Sequence, residues 1–220
     1  MPLSQPPPDP SKACFPLYRR AWFLPVLAGC VYFLLAYGGL RSPDTEIVYR
    51  VAMSLVDHGD WQLRGEIEGW PPGFGGAIGR DGKRFSVYGP GQSVFLAPFV
   101  PLGRAMASLG VWRRIQPPLS HFVDRGAERF LAGVPAGDPR PHAERMIVAW
   151  TDLLLAAALV ALFQALVARL LPGAWRARLF ATLLFAFGTY ALSYSGTAFS
   201  ETLATVLVLL GLYLLLGLRP

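Results

Sequence analysis

The sequence predicts an all-α membrane protein with about four transmembrane helices and a large outer loop that carries interfacial helices. Three observations predict it. Hydrophobic residues make up 53% of the chain and charged residues only 15%, well below the roughly one quarter usual in soluble domains. The run from Trp22 to Leu40 carries no charge and is about as long as a bilayer core requires. Finally, Arg19, Arg20, Arg169, Arg176, Arg178 and Arg219 all flank apolar runs, and four spans with both termini inside place every one of them on the cytoplasmic side. The formal charge of +6 is therefore a matter of membrane topology. The scattered arginines form no stripe that would track nucleic acid phosphates.

In chain order, residues 1–17 are rich in Pro, Ser and Gln and read as a disordered cytoplasmic tail. Residues 18–40 form the first transmembrane helix, residues 41–145 an outer-face loop with juxtamembrane helices, and residues 146–220 three further transmembrane helices. The apolar runs in that last part are Met146–Leu171, Leu179–Tyr194 and Thr202–Leu218. Arginine is the dominant cation and Asn is absent, a bias expected of a GC-rich bacterial genome. The expected location is a bacterial inner membrane, crossed several times, with the active face periplasmic or extracellular. Of the two cysteines, Cys14 lies in the tail and Cys30 in the first apolar run, where a buried thiol is expected.

Inside the outer loop, Thr45–Val56 has the spacing of an amphipathic helix with Ile47, Val51 and Leu55 on one face, closed by the turn Asp57-His58-Gly59-Asp60. Residues 61–75 are rich in Trp, Gly and Pro and suit an ordered interfacial loop. Arg80–Arg84 read as a turn before a short strand, Phe85–Tyr88. Residues 91–110 are apolar but broken by two prolines and Arg104, which predicts a helix at the interface in place of a full span. Residues 111–145 form a surface connection, and His58, His121 and His142 are expected in solvated loops.

The four-span topology brings Asp44, Glu46, Asp152 and Glu201 near one membrane surface. An acid at that depth is costly unless it is solvated, paired or employed, so each is a candidate. Asp44 suits a helix N-cap after Ser42-Pro43, Glu46 suits the first turn of the same helix facing water, and Glu201 suits the first turn of the last span. Asp152 suits a structural contact between helices, with Arg145 as its nearest partner in the sequence. With no clustered His ligands, two acids two residues apart do not predict a metal or any other cofactor.

The order of these parts resembles the GT-C glycosyltransferases, in the branch of the protein mannosyltransferases and lipid A aminoarabinose transferases. The likeness rests on Asp44-Thr45-Glu46 through Gly59-Asp60-Trp61 after the first span. It continues in Tyr88-Gly89-Pro90-Gly91-Gln92-Ser93 through Gly103, in Arg145–Leu171, and in Thr197–Leu203. It covers residues from about 20 to 218. Two departures stand out: Thr45 separates the acids that are adjacent in the family pattern, and family members are more than twice as long. The resemblance implies transfer of a sugar from a polyprenyl-phosphate donor to a lipid, glycan or protein acceptor on the outer face. It places Asp44 as the base that takes the acceptor's proton; Glu46 is the candidate support, and Lys83, Arg84, Tyr88 and Glu201 are the candidate substrate-binding residues. A departing phosphate needs positive charge, for which Lys83, Arg84, Arg104 and Arg145 are the candidates. Gly89-Pro90-Gly91 would cradle it or simply turn the chain. The competing expectation is a truncated, non-catalytic scaffold or assembly subunit, and a second membrane chain is a candidate partner.

Overall fold

The computed structural model describes residues 21–36, 39–40, 42–67, 69–110, 138–196 and 200–217, and these are mostly helical. The N-terminal tail, residues 111–137 with His121, and residues 197–199 lie outside them. Helix α1 is Phe23–Leu35, α2 Pro43–His58, α3 Pro90–Leu96, α4 Phe99–Ser108 and α5 Arg140–Leu170. Beyond these come α6 Trp175–Gly188, α7 Tyr190–Tyr194 and α8 Ser200–Gly217. A two-stranded antiparallel hairpin, β1 Gly76–Ile78 with β2 Arg84–Ser86, lies between α2 and α3, with Ala77 opposite Phe85.

Two helices, α5 and α8, are long and apolar enough to cross a membrane. Only 6% of the apolar window of α8 is buried in the protein. A core helix of a soluble domain hides such a surface, whereas a lipid-facing span exposes it. The other two expected spans are shorter helices. At about 1.5 Å per residue, the 13 residues of α1 reach about 20 Å, against about 30 Å of hydrocarbon. The expected run Leu179–Tyr194 begins four residues earlier, at Trp175, and breaks at Thr189, whose backbone is extended. The Thr189 hydroxyl donates to the Phe185 carbonyl at 2.6 Å and accepts from the Ala191 N–H at 3.2 Å, closing α6 and capping α7 with one side chain.

The long helix α5 is the post against which α1, α4, α6 and α8 all pack. It starts at Arg140, so the boundary expected at 145 moves back and His142 sits in its first turn, half-buried, and not in a solvated loop. Helix α1 turns Leu24, Ala28 and Tyr32 inward at a spacing of four, and the buried Tyr32 hydroxyl donates to the Ala186 carbonyl of α6 at 2.7 Å. That phase points Cys30 the other way, so the thiol expected to be buried is exposed, beside an apolar groove that includes Phe33 and Leu154.

Helix α2 buries two faces. Val48, Tyr49 and Ala52 meet Leu96, Val100 and Val148, while Ile47 and Val51 meet Leu63 and Ile67 of the following loop. Its C-cap is Gly59 at φ 69°, the left-handed position that favours glycine. The interfacial helix expected over 91–110 divides at Ala97-Pro98 into α3 and α4.

The approach of α4 to α5 depends on Gly103. A Cβ there would lie 2.6 Å from the Glu144 Cα and 3.0 Å from its nitrogen, and backbone atoms cannot swing aside. Gly103→Ala is expected to push the helices apart at a cost of about 1–3 kcal/mol. A lowered unfolding midpoint in detergent checks this, and an unchanged midpoint would show that the two helices part freely.

Candidate active site

The first turn of α2 sets the site. Ser42 has an extended backbone and its hydroxyl accepts from the Asp44 N–H at 3.2 Å, so Ser42 and not Asp44 is the N-cap, with Pro43 opening the helix. The Asp44 carboxylate is left for other work. Its Oδ1 accepts a hydrogen bond of 2.5 Å from the Tyr88 hydroxyl, which comes from the turn after β2. Partial burial and the neighbouring Asp44 carboxylate push the Tyr88 phenol up to about 12. Tyr88 therefore stays protonated, a standing donor that fixes one oxygen of Asp44 and leaves the other unclaimed by it.

Asp44 and Tyr88 line a cleft of about 400 Å³ together with Thr45, Gln92, Glu201 and Leu207. The first turns of α2 and α8 both border it. Glu201 is exposed, with the Ser200 hydroxyl 3.4 Å from its Oε2. It also borders a second cavity, of about 320 Å³, on the other side of α8 beside Phe185, Tyr190 and Tyr194. The structure thus joins three predicted site residues, Asp44, Tyr88 and Glu201, in one cleft.

The other predicted residues are elsewhere. Glu46 does not face water, because it is fully buried. Two residues along a helix is a turn of about 200°, so Glu46 points into the protein while Asp44 faces the cleft. Arg145 grips Glu46 from α5, Nε to Oε2 at 2.9 Å and Nη2 to Oε1 at 2.6 Å, and Arg50 adds a bond of 2.9 Å from the same helix. Arg145 is thus the partner of Glu46 and not the one expected for Asp152. Asp152 accepts from Thr202 of α8 at 3.1 Å, the interhelical contact its position suggested.

The ionic cluster continues away from the cleft. Arg145 lies over the Tyr49 ring at 4.8 Å, and Tyr49 donates to Glu144 at 2.5 Å, its phenol pushed well up by burial. Arg104 donates to Glu144 at 3.0 Å and to Asp57 at 2.5 and 2.9 Å. The Arg104 hydrogen bonds hold the Asp57 carboxyl below its usual range. Nothing in the sequence marked Tyr49 or Glu144 for this role. Lys83 sits in solvent 3.7 Å from Asp81, and Arg84 is held by Glu66 and the Gly65 carbonyl of the loop before β1.

No protein-family model, curated protein or solved structure matches the chain. Among the described residues no lysine or arginine lines the Asp44 cleft, and no group of three or more His, Cys, Asp or Glu side chains could hold a metal ion. What the cleft offers is two carboxylates, a phenol, a buried amide and an apolar wall. Such a set can accept a proton and bind hydroxyl groups.

Proposed function

We propose that the chain is a glycosyltransferase of the GT-C kind, moving a sugar from a polyprenyl-phosphate donor to a hydroxyl acceptor. In this reading it forms a bundle of about four spans in a bacterial inner membrane, with the Asp44 cleft on the periplasmic or extracellular side. The observation that carries the proposal is the Asp44 carboxylate, relieved of capping by Ser42, oriented by Tyr88 and open to a cleft shared with Glu201.

In the reaction the acceptor oxygen forms a bond to the anomeric carbon as the bond from that carbon to the phosphate oxygen breaks. The acceptor proton passes to the Asp44 oxygen that Tyr88 does not hold, and the electron pair leaves with polyprenyl phosphate. Glu201 binds sugar hydroxyls from the opposite wall, and Glu46 supports Asp44 at one remove by locking the turn that carries it. Lys83 and Arg84 bind the donor only by leaving their acidic partners, so leaving-group charge falls to the positive ends of α2 and α8. Among the described residues no cation lines the cleft and little covers α8, which favours a second membrane chain that supplies both a guanidinium and an apolar cover. The alternative, a non-catalytic scaffold, draws on the same bare surface.

The test is transfer of radiolabelled sugar from a polyprenyl-phosphate donor pool by the full chain in membrane vesicles, with vesicles lacking it as the blank. Transfer above the blank is expected; equal counts in both would leave the scaffold reading. Orientation is checked with Asp81→Cys in a background where Cys14 and Cys30 are Ser. The exposed hairpin cysteine should react with a membrane-impermeant maleimide in intact cells, and labelling only after lysis would reverse the topology.

A further inference from the structure

A cavity of about 350 Å³ opens at the other end of the bundle, where α1 begins, α5 ends and α6 begins. Leu24, Gln164, Trp175, Arg178, Leu179 and Thr182 line it, so polar and apolar side chains share its wall. Two of its polar groups are unspent. The Gln164 Oε1 is buried with no hydrogen-bond partner among the described residues. A buried acceptor left in that state costs about 1–3 kcal/mol by itself. The torsion that turns a glutamine amide is broad, so this oxygen can be presented to the cavity at little cost. Arg178 is half-buried, and its guanidinium makes no hydrogen bond or ion pair among the described residues. The Thr182 hydroxyl is already engaged, donating to the Arg178 carbonyl at 2.8 Å. No side chain caps the N-terminus of α6, which opens beside Arg178.

These groups ask for a definite chemistry. A half-buried, partnerless guanidinium next to an uncapped helix N-terminus suits a phosphate. The orphaned carbonyl asks for an N–H or O–H close to that phosphate. The apolar side chains suit the start of a hydrocarbon chain, and the cavity lies at the end of a helix that is long and apolar enough to cross a membrane. The geometry points to a structural phospholipid site, occupied by a lipid whose headgroup carries a hydrogen-bond donor, with its phosphate on Arg178 and its donor on Gln164. The site is remote from the Asp44 cleft and is independent of the glycosyltransferase reading.

Native mass spectrometry of the full chain, released from detergent with added lipid, tests this. Dioleoylphosphatidylethanolamine, whose headgroup ammonium donates hydrogen bonds, should be retained at one copy per chain in preference to dioleoylphosphatidylcholine, which has the same net charge and no donor. Arg178→Ala should weaken retention at least about tenfold, the loss of one charge-assisted bond, while Arg178→Lys keeps the charge and most of the binding. Gln164→Leu should remove the preference between the two lipids and raise the unfolding midpoint of the lipid-free protein. Equal retention of both lipids by the unaltered chain would overturn the assignment, as would wild-type retention by Arg178→Ala. Displacement of the lipid by millimolar inorganic phosphate would also overturn it, in favour of a simple anion site.

Discussion

Asp44→Asn is expected to lower sugar transfer about 10²- to 10⁴-fold, the range typical of removing a general base, while insertion and folding stay unchanged. The structure gives the reason for both halves. An asparagine carbonyl still accepts from Tyr88, and the helix keeps its Ser42 cap, so the first turn of α2 has no cause to move. Only the proton acceptor is lost. Tyr88→Phe separates orientation from basicity: the carboxylate remains but can rotate, and a drop of about tenfold is expected. Initial rates with the labelled donor measure both. Full activity in Asp44→Asn would remove Asp44 from the chemistry and turn attention to Glu201.

The second large effect is on stability. Arg145→Ala should cost about 3–5 kcal/mol, because it strands the fully buried Glu46 carboxylate. Arg50 still reaches Glu46, which favours the lower end of that range. Glu46→Gln keeps two acceptor lone pairs for the guanidinium and should cost less. The double variant Glu46→Gln with Arg145→Met removes the charges together and should recover part of the loss, since replacing a buried pair by apolar groups is often close to neutral. Unfolding midpoints in detergent at constant pH measure the cycle. Equal midpoints for Arg145→Ala and the parent chain would mean that water reaches Glu46.

Much of the fold was legible where the signal is local. The spacing of Ile47, Val51 and Leu55 and the Gly59 turn located α2 to within about two residues, and apolar length found α5 and α8. The pairings of the site were not legible, because they join distant parts of the chain. Asp44 and Tyr88 are 44 residues apart, and Glu46 and Arg145 are 99 apart. Nearness in sequence suggested Arg145 for Asp152, but half a helical turn more or less decides which partner a long side chain meets. The Glu46 error has the same origin. The first turn of a helix favours acids whether they face water or protein, and only the packing of α2 on α5 determines which. The break at Thr189 has no local signal either, since threonine is ordinary in an apolar helix until its hydroxyl caps a new one.

The opposed directions of Asp44 and Glu46 have a meaning for descent. In the proposed reaction Asp44 answers to a ligand, whereas Glu46 answers to an arginine of the same chain, so selection holds them by separate threads. Substitutions at position 46 should be tolerated only alongside changes at position 145, whatever the protein does. Position 44 is free of that tie. A lineage that gave up catalysis for a purely architectural life would keep the Glu46–Arg145 couple and let Asp44 drift.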